Sequence, residues 1–304
     1  MRILLTGCTG FVGSALGPRL VAEGHELFCV CRPGTSVAFG TAVVWDGATA
    51  IEDSSFPKMI DVVVHAAQSR RYRNFPADSR EMFDVNVNMT MRLLDWAARA
   101  AAKHFCLLSS GAVYEPFTGA LREDVALAPS GFLGASKLAS EIVAKPFSSI
   151  FSVNTLRLFF PYGPGQHDRL IPQLISRIRD GAAIQLSGSK DGIRLAPTFI
   201  DDIVEVILAS IASSWTDTLN VANSEVLSIR QIANAIGREL GVEPKFEIVN
   251  PNTPSVDIVP ELDRLASRVD LRRFVQFGAG LHRMISANSL DVPDHRLAET
   301  QHRS

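Results

Sequence analysis

The chain has 304 residues, 46% of them hydrophobic and 20% charged, with a formal net charge of −2. That length and apolar share allow one large α/β unit with a smaller lobe, and the near-balanced charge gives no general attraction to nucleic acid or to an anionic membrane. No apolar run approaches the ~20 residues of a spanning helix, and Met1 leads straight into an apolar strand without a charged leader, so a soluble cytoplasmic protein is expected. Seven short runs read as buried strands: RILLT (2–6), ELFCV (26–30), AVVW (42–45), DVVVH (61–65), HFCLLS (104–109), VNTLRL (153–158) and TLNVA (218–222). Helical patterns lie between them at 14–23, 81–102, 133–145, 168–180, 200–212 and 228–240, the last opened by Ser228 as an N-cap and followed by Gly241. Strands alternating with helices predict a doubly wound parallel α/β sheet of about seven strands.

The first strand runs into TGCTGFVGS, which places Gly7, Gly10 and Gly13 between a strand and a helix. Glycine there permits a tight turn, lets backbone N–H groups approach a pyrophosphate at the helix N-terminus, and lets the helix lie close to the sheet. The position, more than the triplet, points to a dinucleotide. The second strand ends CVCRPG; Cys31 accepts poorly from a ribose diol, whereas Arg32 can pair with a 2′-phosphate, which favours NADP over NAD. Asp46, after AVVW, is placed to accept from the adenine amine or simply to close a turn. Cys8, Cys29, Cys31 and Cys106 read as small buried hydrophobes, because Cys29-x-Cys31 lacks the spacer of a redox or zinc pair, and no metal site is expected. Arg70, Arg71 and Arg73 read as a solvated face. From about Tyr162 the pattern loosens into PYGPG, LSGSKDG and VEPKFEIVNPNTP. The expected organisation is a dinucleotide domain over 1–165 with its sheet completed by about 195–225, an interleaved substrate-binding lobe over 166–290, and a frayed tail over 291–304.

These residues resemble the extended short-chain dehydrogenase/reductase family, the NAD(P)-dependent epimerase/dehydratase group that mostly handles nucleotide sugars, and the resemblance covers almost the whole chain. TGCTGFVGS is similar to the family's glycine loop, including Thr9, Phe11 and Val12; VVVHAAQ to the segment beside the cofactor, with His65, Ala66, Ala67 and the substrate-side Gln68; DVNVNMTMRLLDWA to the helix carrying Asn86. LLSSGAVYE resembles the serine segment, GASKLASE the lysine helix, RLFFPYGPGQ the RxxNxYGPG turn, and TFIDDIVEVI the VDD helix. The resemblance implies a Rossmann sheet, cofactor contacts also from Ser109, Lys137 and Pro161, and hydride transfer between a carbinol carbon and nicotinamide. In the family a tyrosine moves the hydroxyl proton, helped by a serine and by a lysine that lowers the phenol pKa.

Ser110 falls at the serine position and Lys137 at the lysine, but Leu133 stands where the tyrosine belongs, and Phe132 is one residue, about 100° of helix, out of place. Three readings stay open: another group carries the proton (Tyr114, His167, His65 or Lys137), water does so in a widened pocket, or the protein binds its ligands without turnover. Gly111 and Ala112 occupy the positions where the sugar 4,6-dehydratases carry an Asp-Glu pair, which disfavours dehydration. A 4-epimerase or a 4-keto reductase fits better, with a non-sugar carbonyl reductase as the further alternative. For the substrate, Phe160 replaces a common asparagine beside Gly111 and Leu133; Gln185 lies on the segment that borders the base in relatives; and Arg194 resembles the arginine that grips a nucleotide-sugar diphosphate. Helices 81–102 and 133–145 resemble those that pair relatives into homodimers.

Overall fold

The computed structural model describes residues 1–52, 55–69, 71, 73–252 and 257–290, with side chains to 287; Arg70 and the 291–304 tail lie outside the described residues. Seven parallel strands form the central sheet: β1 Arg2–Thr6, β2 Glu26–Cys31, β3 Thr41–Val44, β4 Val62–His65, β5 His104–Ser110, β6 Ser152–Leu158 and β7 Thr218–Val221. Their order, β7-β6-β5-β4-β1-β2-β3, is the doubly wound sheet that the alternating runs predict. Continuous apolar runs form these strands because both faces are covered: Ile3, Leu4 and Leu5 are fully buried although adjacent side chains point to opposite faces.

One face is covered by α1 (Phe11–Ala22) and, later in the chain, Ile200–Ser213; Leu16, Leu20, Ile203 and Ile207 meet Leu5, Val64 and Cys106 there. Leu93, Leu94 and Trp96 of Met89–Arg99 and Ala144 of Phe132–Ala144 cover the other, against Leu4, Val63 and Phe105. The order of connections reverses between β1 and β4, and a crevice opens at their carboxyl ends, where ligands of such sheets bind. A separate apolar cluster joins Leu170–Arg179, Ile229–Leu240 and Phe277–Leu290 beside the strand Ile184–Ser187.

Several boundaries differ from the sequence pattern. The helix expected at 14–23 begins at Phe11, directly on the glycine loop. The helix expected at 81–102 is Ser79–Phe83, a π-helical turn Asp84–Asn88, and Met89–Arg99. The Ser228 cap is present as a full capping box with Gln231, and Gly241 closes the same helix at φ +66°. Among the elements that escape the sequence reading are the parallel pair Ile184–Ser187 with Phe246–Val249 and the final helix Phe277–Leu290. Gly278 and Gly280 weaken that helix as a pattern, yet a Cβ on Gly280 would lie 2.3 Å from the Tyr162 hydroxyl, so glycine is what lets the helix settle there. All four cysteines are free and buried, Cys29, Cys31 and Cys106 on strands and Cys8 in the glycine loop.

Candidate active site

The glycine loop is built from steric necessity. Gly7 has φ +69°, and a Cβ on it would sit 2.7 Å from the Ala66 carbonyl carbon and 2.8 Å from the Ala67 nitrogen, so the β1 and β4 ends touch through it. A Cβ on Gly13 would lie 2.2 Å from the Gly7 oxygen, which shows α1 resting directly on the loop. Gly10 is the N-cap of α1 with no side-chain cap, and the first turn holds no acidic residue, so the helix presents uncompensated positive charge to whatever occupies the crevice. Thr9 is exposed there, with Phe11 and Val12 half-buried behind it. This cradle, which a single Cβ would fill, fits the diphosphate of a dinucleotide. Gly13→Ala is expected to weaken NAD⁺ or NADP⁺ binding by about 100-fold or more, since the displaced loop carries the N–H donors; calorimetric titration measures it, and unchanged affinity would remove the cradle from consideration.

At the β2 end Cys31 is buried and Arg32 exposed. Asp46 uses Oδ1 to accept from the Ala48 and Thr49 backbone N–H groups and the Thr49 hydroxyl, each at 2.9 Å. Those bonds, Thr49 first, hold its carboxyl below the usual range. Asp46 also borders a cavity of about 380 Å³ with Ala48, Arg80 and Asp84.

His65 is fully engaged by the protein. Thr90 donates its hydroxyl hydrogen to the Asn86 carbonyl at 2.7 Å, so the contact of 2.9 Å to His65 Nε2 requires Nε2 to be the donor. Nδ1 then accepts from Thr6 Oγ1 at 2.7 Å. Burial, and secondarily the Lys137 charge, push the imidazole down to about 3. The expectation that His65 could carry the reaction's proton is therefore corrected: both nitrogens are committed and the ring is buried. Asn86, on the π-helical turn, accepts from the Ser69 N–H at 3.2 Å and donates to Ser136 Oγ at 2.9 Å, tying the segment after Gln68 to the lysine helix.

Tyr114 receives the same correction. It is buried at 6% exposure, donates to Asn220 Oδ1 at 2.8 Å and accepts from Arg157 Nη1 at 2.7 Å, with the guanidinium over its ring. Burial pushes the phenol up, and the hydroxyl is structural.

Ser110 ends β5 and caps the 3-10 turn Gly111–Tyr114 by accepting from the Ala112 N–H at 3.2 Å. The lysine helix is pressed onto this turn: a Cβ at Gly134 would meet the Ala112 oxygen at 2.2 Å. Leu133 stands in the first turn of that helix, and Lys137 follows one turn later on the same face. Lys137 is 4% exposed, and its Nζ donates to the Leu108 carbonyl at 2.8 Å. Burial lowers it to about 8, against the pull of Glu141. Glu141, the next turn on, is held by Arg157 at 2.7 Å and by the Ser109 hydroxyl. The sequence reading missed this pair; the signal was a charged residue inside the apolar strand VNTLRL.

Phe160 holds φ +40°, a region where asparagine is at ease and aromatic residues are rare. Pro161 opens the short strand Pro161–Tyr162, paired with Thr198–Phe199. Gln166 donates to the Pro161 carbonyl at 2.6 Å while its buried Oε1 has no partner among the described residues. His167 is exposed beyond that turn, and among the described residues no hydrogen bond joins it to Ser110 or Lys137. Gln185 is exposed on Ile184–Ser187. Arg194, also exposed, gives two N–H groups to Asp257 Oδ2, at 2.9 and 2.6 Å. Among the described residues no helix is long and apolar enough to cross a membrane, and no three His, Cys, Asp or Glu side chains gather as metal ligands.

Residues 3–222 match the NAD dependent epimerase/dehydratase family. The chain belongs to that family. It is 30% identical over 264 residues to dTDP-6-deoxy-L-talose 4-dehydrogenase (NAD(P)(+)) of Kitasatospora kifunensis, covering 79% of this chain and 80% of the relative. It is 24% identical over 283 residues to the UDP-glucuronate 4-epimerase of Thermodesulfobacterium geofontis, covering 84% and 85%. In fold it resembles the UDP-glucuronic acid 4-epimerase of Bacillus cereus, crystallised with UDP-glucuronic acid and NAD: the TM-score is 0.83 at 20% identity, over 95% of this chain and 99% of that one. The chain is thus an enzyme of the extended short-chain dehydrogenase/reductase type, with a dinucleotide cradle and nucleotide-sugar enzymes as relatives.

Proposed function

We propose that this protein is an NAD(P)-dependent epimerase or reductase that acts on a nucleotide sugar by hydride transfer at a carbinol or keto carbon, in an active site where Leu133 replaces the tyrosine. The observation that carries the reading is the seating of Ser110 and Lys137 on two elements locked together by Gly134, in the crevice that Gly7, Gly10 and Gly13 open. The bound nicotinamide would supply the hydride acceptor or donor. Gly10 and the first turn of α1 hold the diphosphate, and Ala66 and Ala67 border it. Lys137 has N–H donors to spare for the nicotinamide ribose, and the Ser110 hydroxyl bonds the reacting oxygen. Arg194 exchanges its exposed partner Asp257 for the sugar diphosphate, an exchange that costs little because an exposed ion pair is weak. The lobe over 166–290 closes the substrate side, and two copies pair through the helices around Met91 and Ile142, which are 44% and 62% exposed. Such an enzyme would work in the cytoplasm.

Two proteins of similar fold, MoeE5 and the Bacillus cereus UDP-glucuronic acid 4-epimerase, are crystallised with NAD. Arg32, exposed at the β2 end, supports acceptance of the 2′-phosphate as well. Arg32→Ala is expected to weaken NADPH binding by about 10-fold and NADH binding by less than about twofold, the difference being one charge-assisted bond. Fluorescence titration of both nucleotides measures this, and equal effects would mean that Arg32 reads neither. The reaction itself is tested by incubating the protein with NAD⁺, NADP⁺ or NADPH and UDP-, GDP-, dTDP- and CDP-sugars, 4-keto forms included, under proton NMR. Inversion or reduction at one sugar carbon is the expected result. Binding without conversion would make the chain a ligand-binding protein, the reading that Leu133 alone favours.

A further inference from the structure

Loss of the phenol leaves the reaction without its proton carrier, and the structure disposes of two replacements. Tyr114 and His65 have every polar atom committed. His167 stands exposed beyond the Pro161 turn, without a bond to the serine or the lysine. Lys137 differs from all three. It is a buried ammonium whose one hydrogen bond goes to the Leu108 carbonyl, two residues before Ser110 on β5. Among the described residues it forms no ion pair, because the nearby carboxylate, Glu141, is taken up by Arg157 and Ser109. A buried cation with N–H groups unspent and only the partial pull of Glu141 to offset its burial is costly to maintain, and it sits on the helix face that carries Leu133 one turn earlier.

We propose that Lys137 itself, one helical turn past Leu133, takes the proton from the substrate hydroxyl and returns it in place of the missing phenol. This rests on the hydride-transfer reading above. In the oxidising direction the hydroxyl O–H bond breaks and an N–H bond forms on neutral Lys137. The electron pair left on oxygen makes the C=O bond as the carbon's hydride passes to the dinucleotide. In the reducing direction the ammonium gives the proton back and is neutral again. Ser110 holds the oxygen throughout. The charged groups facing Lys137 are Glu141 on its own helix and His65 from β4, with Arg157 from β6 behind Glu141. His65 is neutral and Glu141, shared with Arg157, offsets only part of the burial cost; burial brings the amine to about 8, within reach of working pH.

The test uses the intact chain with NAD⁺ and two probes, UDP-glucuronic acid and UDP-glucose, in four forms: unmodified, Lys137→Gln, Leu133→Tyr, and both changes together. Turnover by NMR, NAD⁺ affinity and melting temperature are read for each, and the ¹³Cε titration of Lys137 in lysine-labelled protein for the two forms that keep the lysine. Lys137→Gln is expected to lower turnover at least about 100-fold with a smaller change in NAD⁺ affinity, and to melt no lower than the unmodified chain. The double variant should regain at least about 10-fold of that loss, because the phenol then carries the proton. The unmodified enzyme's pH profile should turn at the same pH as the Lys137 resonance. If the double variant stays as inactive as Lys137→Gln while Leu133→Tyr is active, Lys137 serves only the cofactor and the proposal is overturned. A pH profile that ignores the Lys137 titration overturns it as well. If neither the unmodified chain nor Leu133→Tyr converts either probe, although NAD⁺ binds and Lys137 titrates as expected, the hydride-transfer reading itself fails, and the proposal with it.

Discussion

Glu141→Leu, made alone, is expected to lower the unfolding free energy by about 3–5 kcal/mol. Arg157 gives Nη2 to Glu141 Oε2 at 2.7 Å and Nε to both carboxylate oxygens at 3.1 and 3.2 Å, and the two side chains are only 5% and 9% exposed. Deleting the carboxylate strands the guanidinium in the core with the Tyr114 hydroxyl as its remaining partner, and the Ser109 hydroxyl loses its acceptor too. Arg157→Met should cost a similar amount by stranding the carboxylate. The double replacement is expected to recover most of the loss, since both charges leave together and apolar volume replaces them. Urea titration of the four proteins measures this. Additive losses in the double variant would show that the two charges act independently.

Acidification from pH 6.5 to 4.5 should cost the fold roughly 5 kcal/mol through two histidines, at about 1.4 kcal/mol per pH unit each. Burial pushes His65 down to about 3 and His104 down to about 4. A depressed folded pKa means that the unfolded chain binds the proton first. The stabilisation is therefore present above the unfolded value of about 6.5 and is lost as pH falls toward the folded values. Asp202 runs the other way: burial raises its carboxyl to about 6 while it accepts from the Val275 N–H, so the fold gains stability as pH drops through that range. Asp202→Asn should consequently steepen the acid loss. Urea midpoints at pH 7, 5.5 and 4.5 test both statements, and a flat profile in the Asp202→Asn protein would contradict the histidine account.

The parallel sheet was legible because its strands are buried on both faces and read as unbroken apolar runs, and the glycine loop because its glycines stand between a strand and a helix, two of them, Gly7 and Gly13, at contacts no Cβ could fit without displacing backbone. The roles of His65 and Tyr114 were not legible. A histidine at a strand end looks the same whether its nitrogens face a ligand or Thr6 and Thr90, and nothing local in the sequence reports partners 59 and 25 residues away. Tyr114 is claimed by Asn220, 106 residues later. The final helix was missed for a related reason: its two glycines lower helix propensity, and the compensation lies in Tyr162 and Phe199, which only the fold brings near.

The fastening of that final helix sets an order on assembly. Asp202 holds the Val275 N–H, Asn223 the Val275 carbonyl, and Glu225 the Phe277 N–H, so three side chains wait for a segment made 50 or more residues later. Six strands of the sheet, through Leu158, can close as the ribosome delivers them. The apolar cluster of Leu170–Arg179, Ile229–Leu240 and Phe277–Leu290 has no such autonomy. A nascent chain halted before Val275 would carry the complete seven-stranded sheet beside an apolar surface of Tyr162, Phe199 and Ile232 that has lost its cover. Such a species is the one on which chaperones and proteases would act, which makes the segment from Val275 through the helix Phe277–Leu290 the checkpoint for the molecule.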